Sequence, residues 1–167
     1  MKHALRIIAD AELAALSAGA SNSVRLRKNL NIHPVLEDPV QRLFNAMEPG
    51  TYVRPHRHAR VNGWELMLAV RGAFSVLIFD DFGTVAARAD IAAGGDAAAV
   101  EIPADTWHAV VVTAPGTVMF EVKPGPYSPL DDKAFASWAP AEGESAVIEF
   151  VRWYAAARPA DRPPRYP

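Results

Sequence analysis

From Val40 to Lys123, turn residues divide the sequence into short apolar runs at close intervals. This pattern leaves little room for long helices and is typical of a β-sandwich or β-barrel. Glycines at 72, 83 and 116 allow the chain to reverse tightly between runs. We therefore predict strands near residues 40–46, 51–56, 64–70, 73–79, 84–90, 98–102, 107–113 and 117–123.

The segments on either side of these strands have a different character. Residues 9–18 are predicted to form a short helix, and residues 145–157 a second helix with an apolar stripe. The polar segment Ser21–Pro39 is predicted to be irregular. The tail Arg158–Pro167 is rich in proline and is expected to be loose.

A chain of 167 residues is long enough for one domain with a core and short for two. We expect a single all-β domain with an N-terminal helix and lead-in (1–39), a barrel (40–127) and a helical C-terminal extension (128–167). The strands at 66–70 and 74–79 are apolar on both faces. Each is therefore expected to be covered by the barrel core and by a helix or a partner subunit, which favours a homodimer.

Composition excludes several classes of function. Without cysteine there are no disulfides or thiolate nucleophiles, and any metal must be held by nitrogen and oxygen. A net charge of −2 gives no broad attraction to nucleic acid. No segment has the roughly 20 apolar residues that span a bilayer, and Asp10 and Glu12 interrupt the only candidate signal peptide. A cytoplasmic protein with a small-molecule partner is the expectation.

Four residues have the spacing of a metal site. His56 and His58 lie two apart in a predicted strand, so their side chains share one face. Glu65 begins the next strand, and His108 begins a later one after a proline turn. Three imidazoles and a carboxylate suit Fe, Mn, Co, Ni, Cu or Zn and leave positions open on an octahedral ion. The alternative is that the histidines form a surface pair and Glu65 is an ordinary exposed carboxylate.

These residues resemble the two motifs of the cupin superfamily. The segment Gly50–Gly72 is similar to the first motif, which reads glycine, five residues, His-x-His, a short gap, glutamate, six residues and glycine. The segment Pro103–His108 is similar to the second, which reads proline, any residue, glycine, two residues and histidine. The resemblance implies a double-stranded β-helix, or jelly-roll, barrel that binds one divalent metal through His56, His58, Glu65 and His108.

The sequence departs from these motifs at three places. Six residues separate His58 from Glu65, where three or four are usual, and Val112 stands where asparagine is common. Asp105 stands where glycine is usual. Aspartate tolerates the left-handed backbone conformation better than most residues, so the turn before His108 is still expected to form.

A more specific resemblance is to the WbuC-like cupin-fold metalloproteins. It covers about residues 22–140, through the segments Arg27–His33, Asp38–Leu43 and Glu121–Tyr127 together with the histidine motif. Some members of that family are encoded among genes for O-antigen or other surface polysaccharides, and the family has no established reaction. The resemblance therefore implies the fold and the metal rather than the activity.

Other polar residues are candidates for contact with a substrate. In a WbuC-like barrel the N-terminal segment could close one mouth, which would turn basic and polar side chains toward the metal. Two further residues precede His56 in its predicted strand and share its face. The candidates are Arg27, Asn31, His33, Tyr52 and Arg54, with Lys123 and Tyr127, near the exit of the barrel, as weaker ones. The alternative is that His33 pins a loop, the arginines are solvated and Tyr52 fills the barrel.

Two functions from different classes remain open at this point. The first is a metalloenzyme for a sugar or a keto or hydroxy acid, acting as an isomerase, lyase or dioxygenase with Fe, Mn, Ni or Zn, in surface polysaccharide metabolism if the WbuC-like resemblance holds. The second is a binding or regulatory module without turnover. A metal that only stabilises the barrel is a third possibility, since this fold hosts many chemistries.

Overall fold

Two helices and ten strands are present in the computed structural model, which describes residues 5–126 and 133–166. Helix α1 is Asp10–Ser21 and helix α2 is Val147–Ala156. The strands are β1 (Arg27–Asn31), β2 (Val40–Met47), β3 (His56–Arg57), β4 (Glu65–Arg71), β5 (Ala73–Phe79), β6 (Val85–Ala92), β7 (Ala99–Ile102), β8 (His108–Val112), β9 (Thr117–Pro124) and β10 (Ala134–Phe135).

The strands form two five-stranded antiparallel sheets. Sheet 1 has the order β1-β2-β9-β4-β7, and sheet 2 has the order β10-β3-β8-β5-β6. Apolar side chains on the inner faces meet in one cluster, to which Met47 and Met67 of sheet 1 and Phe74 and Val110 of sheet 2 belong. Burial of this shared face holds the sheets together. The predicted all-β barrel, with a helix before it and a helix after it, is confirmed.

Each sheet also has a helix on its outer face. Leu13 and Leu16 of α1 pack against Val118 of sheet 1. Phe150 and Tyr154 of α2 lie in one cluster with outward-facing residues of β5 and β6, namely Leu77, Phe79 and Val85. The outer apolar face of β5 is thus covered by this chain's own helix, so it supplies no argument for a partner subunit. Neither helix is long and apolar enough to cross a membrane.

The segment Ser21–Pro39, expected to be irregular, contains β1. This strand pairs with β2 from Arg27↔Met47 to Asn31↔Leu43. Its polar residues line a cavity instead of the core. The apolar alternation that reveals a half-buried strand is therefore missing from the sequence.

The predicted strand at 51–56 is mostly loop, and only His56–Arg57 pairs as β3. Two carbonyls before it accept hydrogen bonds from side chains instead of from a neighbouring strand. The Tyr52 carbonyl accepts from the Arg27 guanidinium, and the Val53 carbonyl accepts from the Tyr154 hydroxyl.

The tail, expected to be loose, is paired with the barrel where it begins. The Val85 amide donates to the Asp161 carbonyl at 2.9 Å, and the Ala160 amide donates to the Val85 carbonyl at 2.8 Å. Prolines in this segment therefore prevent a helix without preventing docking. Pro167 lies outside the described residues.

Candidate metal centre

The four predicted ligands come from three neighbouring parts of the barrel. His56 lies in β3 opposite His108, the first residue of β8, and Glu65 is the first residue of β4. His58 follows two residues after His56. All four are 3% exposed or less, and one ligand atom from each lies within 4.8 Å of the others. The structure thus gathers the four residues into one buried cluster that suits a metal ion.

The long gap between His58 and Glu65 is taken up by a tight turn. The Gly63 amide donates to the Arg60 carbonyl at 2.9 Å. A Cβ at position 63 would lie only 2.4 Å from the His58 carbonyl oxygen. Glycine is therefore required here for the loop to fold back on the histidine strand and return Glu65 to the cluster.

Asp105 takes the backbone conformation that glycine provides in the usual second motif. Its φ is +58°, in the left-handed region, as expected from the sequence. Its amide donates to the His58 carbonyl at 2.9 Å. This bond ties the turn before His108 directly to the segment that carries the other two histidines.

Backbone carbonyls set the orientation of two imidazole rings. The Nδ1 atom of His56 is 2.9 Å from the Arg54 carbonyl oxygen, and that of His108 is 2.8 Å from the Thr106 carbonyl oxygen. A carbonyl only accepts, so in the neutral ring the hydrogen lies on Nδ1 and Nε2 presents a lone pair. This is the usual arrangement of a histidine that ligates a metal.

Two histidine nitrogens of the cluster contact the carboxylate oxygens of Glu65. The Nε2 atom of His108 is 3.0 Å from Glu65 Oε2, and that of His58 is 2.9 Å from Oε1. In the tautomer fixed by Thr106, His108 Nε2 and the carboxylate oxygen are both acceptors, and both are buried. Two buried acceptors in contact need a cation between them, so the donor set fits a divalent transition metal.

The charge states of the cluster also favour a metal. Burial, with smaller effects of Lys133 and His108, holds the pKa of His56 well below its ordinary value of 6.5. Burial alone would raise the pKa of Glu65, but hydrogen bonds from His108 and His58, which form where a proton rather than a metal lies at the cluster, and the charge of Lys123 hold it well below its usual range. A neutral imidazole and an ionised carboxylate are the forms that bind metals.

A charged network lies beside Glu65 on the inner face of sheet 1. Lys123 Nζ is 3.2 Å from Glu65 Oε1 and 3.3 Å from Glu121 Oε1. The Asn45 side-chain amide donates to Glu121 Oε2 at 2.6 Å. Lys123 was among the predicted substrate-binding residues, whereas Glu121 and Asn45 were not. The available signal was the alternation along β9, where Glu121 and Lys123 stand at inward positions of an otherwise apolar strand.

A cavity of about 460 Å³ opens from the cluster, with His56 and Glu65 in its wall. Five of the predicted substrate-binding residues line it, namely Arg27, Asn31, His33, Arg54 and Lys123. Lys133 and Phe135, which sequence analysis did not propose, line it as well. Tyr127 lies outside the described residues.

Tyr52 is placed elsewhere, contrary to the prediction. Its ring stacks on Tyr154 at 5.9 Å, and its hydroxyl donates to the Pro140 carbonyl at 2.9 Å. Tyr52 therefore packs the barrel against the C-terminal extension. The alternation that predicted a shared face with His56 fails because residues 51–55 are not a regular strand.

Basic groups dominate the wall of the cavity. At its mouth Glu142 binds Arg25 at 2.8 Å and also binds Arg27. Nearer to the cluster, Arg54 donates to the Ala136 carbonyl and lies over the Phe135 ring, 5.4 Å from its centroid. No carboxylate of the described residues lies within ion-pair distance of Arg54. The cavity thus offers a positive charge close to the metal ligands.

The comparisons with known proteins give a family and a fold. A family model described as a domain of unknown function, DUF6016, matches residues 8–91, which is half of the chain. The chain belongs to the DUF6016 family. The matched part contains His56, His58 and Glu65 and ends before His108. No curated protein matched the sequence.

CapF, oxalate oxidase and oxalate decarboxylase are among the solved structures that are similar to this DUF6016 protein. CapF with the inhibitor 3-isopropenyl-tropolone has 17% identity and a TM-score of 0.53, over 64% of this chain and 30% of that one. Oxalate oxidase with the substrate analogue glycolate has 15% identity and a TM-score of 0.52, over 69% and 57%. Oxalate decarboxylase from Bacillus subtilis has 16% identity and a TM-score of 0.50, over 65% and 27%.

These likenesses concern the fold alone, which is a cupin-like β-barrel. The DUF6016 chain spans about a quarter of the decarboxylase and little more than half of the oxidase. Within this fold, the buried cluster of three histidines and a glutamate suits a metal ion.

Proposed function

We propose that this DUF6016 protein is a metal-dependent enzyme for a small oxygenated acid of the keto-acid, hydroxy-acid or sugar-acid type. The observation that supports the proposal is the position of His56 and Glu65, two of the four cluster residues, in the wall of a cavity that Arg54 also lines. A concave cavity with a few convergent polar groups is the usual form of a small-molecule site.

Arg54 is the group that would hold the substrate carboxylate. Its Nε atom is buried and has no hydrogen-bond partner among the described residues. It lies two residues before His56, so an acid bound to it stays beside the cluster. A guanidinium binds a carboxylate through two parallel hydrogen bonds, which fixes the orientation of the acid as well as its position. Phe135 limits the movement of the Arg54 side chain from the other side.

The remaining roles follow from the chemistry of the neighbours. A bound divalent ion would supply Lewis acidity to substrate oxygens. Lys123 would keep Glu65 ionised beside the metal ion, and Glu121 would hold the Lys123 ammonium in place. Isomerase, lyase and dioxygenase reactions are all compatible with this set, and the identity of the metal decides between them.

The first prediction concerns the metal itself. Protein purified without metal-affinity resin is expected to hold about one equivalent of a single transition metal by elemental analysis, because four ligands converge on one point. The double variant His56→Ala, His108→Ala should lose it. The variant His33→Asn is the matched control and should keep it, since His33 lies outside the cluster. Wild-type protein that holds no metal, even after reconstitution, would contradict the proposal.

Turnover separates the enzyme from a binding module. Iron directs the assay to oxygen consumption with hydroxy acids, and manganese, nickel or zinc to isomerisation and elimination of sugar acids. The loaded protein should convert at least one acid, and the double variant should not. An acid that binds the loaded protein and is always recovered unchanged would show the alternative, a binding or regulatory cupin.

Three finer expectations remain predictions. Membership of the WbuC-like family, with its link to surface polysaccharide metabolism, is supported only by the sequence resemblance. A cytoplasmic location is an expectation from the sequence, in which Asp10 and Glu12 interrupt the candidate signal peptide. The prediction of a homodimer rested on strands that are apolar on both faces. It is less well supported now, because α2 covers the outer face of β5.

A further inference from the structure

His33 is a buried histidine that takes no part in the metal cluster. It follows β1 by two residues, is 6% exposed and lines the same cavity as His56 and Glu65. Its Nε2 atom is buried and has no hydrogen-bond partner among the residues that the structure describes. Buried polar atoms are almost always paired, so an unpaired one in the wall of a cavity indicates a ligand.

The backbone of Arg42 determines which nitrogen of His33 carries the hydrogen. The Arg42 amide donates to His33 Nδ1 at 3.1 Å. The Arg42 carbonyl is 3.0 Å from the same nitrogen, but it already accepts from the amides of Ile32 and His33. An amide can only donate, and it would have no partner here if Nδ1 were protonated. In the neutral ring the hydrogen therefore lies on Nε2.

His33 is thus the opposite of the cluster histidines. His56 and His108 present a lone pair at Nε2, whereas His33 presents an N–H. An N–H cannot ligate a metal, but it can donate to an oxygen. The free atom of His33 is therefore suited to a substrate hydroxyl, carbonyl or carboxylate.

The distance between His33 and the cluster limits the size of that substrate. His33 is hydrogen-bonded to the backbone of Arg42 in β2. Gln41, which precedes Arg42, is paired with Lys123 of β9. Lys123 in turn contacts Glu65 of β4. Three strand spacings of about 4.8 Å each separate the backbones of His33 and Glu65. A molecule that reaches both ends of this row is longer than a two-carbon acid.

We propose that His33 is a specificity-determining residue that donates Nε2–H to an oxygen at the end of the substrate remote from the metal. The preferred substrate is accordingly an extended, polyhydroxylated or dicarboxylic acid, of which sugar acids are the simplest class. This inference rests on the proposed function, since it takes the cluster to hold the metal and Arg54 the near carboxylate.

Two substitutions at position 33 distinguish the roles of the two ring nitrogens of His33. His33→Asn keeps an acceptor near Nδ1 for the Arg42 amide but has no donor at Nε2. His33→Gln keeps a donor near the position of Nε2. Calorimetric binding of gluconate and of glycolate to the zinc-loaded proteins tests the role of His33. Gluconate is expected to bind about tenfold more weakly to His33→Asn than to wild type, with partial recovery in His33→Gln. Glycolate should bind the three proteins equally.

The same experiment distinguishes the two proposals. If glycolate binds but gluconate affinity does not depend on residue 33, the role of His33 is wrong and the proposed function stands. If gluconate fails to bind the wild type while glycolate binds, the role of His33 is again wrong. Failure of both acids to bind the zinc-loaded wild type overturns both proposals.

A second measurement needs no ligand. Long-range proton–nitrogen correlation NMR of the zinc-loaded protein should show Nε2 protonated and Nδ1 unprotonated in His33, with the reverse in His56 and His108. Added gluconate should shift the His33 Nε2–H resonance. A His33 ring protonated on Nδ1 would overturn the inference whatever the calorimetry shows.

Discussion

At the scale of single residues, one backbone group decides what each buried histidine can do. Carbonyl oxygens at Arg54 and Thr106 turn His56 and His108 into electron-pair donors, and the Arg42 amide turns His33 into a hydrogen-bond donor. Spacing in the sequence, together with the resemblance to the two cupin motifs, predicted which residues meet at the cluster. It could not predict the ring tautomers, because the carbonyls and the amide that fix them are positioned by the folded chain.

Lys123 gives the sharpest prediction at this scale. The substitution Lys123→Met leaves Glu65 and Glu121 buried together without their cation. The free energy of unfolding of the metal-free protein is expected to fall by about 3 kcal/mol in urea titrations. Metal loading should make this decrease in the free energy of unfolding smaller, because a divalent ion offsets the charge of Glu65.

The control for this variant is Lys28→Met, since Lys28 is an exposed residue of β1. Its effect is expected within about 0.5 kcal/mol. Equal effects of the two substitutions would mean that Lys123 contributes no more than a surface charge.

At the scale of elements, the attachment of α2 depends on a residue from the barrel. This helix has no basic residue in its last turn. Instead Arg88 of β6 donates to the carbonyls of Tyr154 and Ala157, both at 3.2 Å, and to Ser75 Oγ at 2.8 Å. A cation at the C-terminus of a helix satisfies its last carbonyls and interacts favourably with its dipole.

Loss of Arg88 should therefore loosen the helix. Arg88→Met is expected to lower the free energy of unfolding by about 2 kcal/mol, because hydrogen bonds to a charged group are lost. Arg152→Met, on the exposed face of α2, is the matched control and should have little effect. Thermal unfolding followed by circular dichroism measures both, and an equally small effect of Arg88→Met would refute its role as a cap.

The elements that sequence analysis missed have a common cause. Strand β1 carries polar residues into the cavity, and β10 has only two residues, so neither shows an apolar alternation. The strands that were found, such as β5 and β9, bury apolar side chains, which the sequence shows as apolar runs between turn residues. A strand that lines a binding cavity is thus the kind of element that a hydrophobic pattern hides.

At the scale of the whole molecule, the C-terminal extension and the barrel share one core. Phe150 of α2 is fully buried beside Leu77 and Phe79 of β5. Phe150→Ala should lower the free energy of unfolding by about 4 kcal/mol. Tryptophan fluorescence and circular dichroism should still change in a single coincident transition, as expected of one domain. Two separated transitions would show that the extension unfolds independently.

The architecture of the whole was predictable where the function was not. Closely spaced turns and two motif-like segments were enough for the barrel and its four-residue cluster. The proposed substrate class rests instead on side chains such as Arg54 and His33, whose convergence on one cavity requires the complete fold. The same barrel supports many reactions, so the motifs alone carry no information on turnover.

The contact between Glu142 and the arginines at positions 25 and 27 has an evolutionary consequence. It joins the segment before the barrel to the segment after it, across the mouth of the cavity. Mutations in these flanking segments reshape the entrance while the ligands on β3, β4 and β8 stay unchanged. Members of the family can therefore come to differ in the shape of this entrance through changes in the two flanking segments, while the buried cluster is retained.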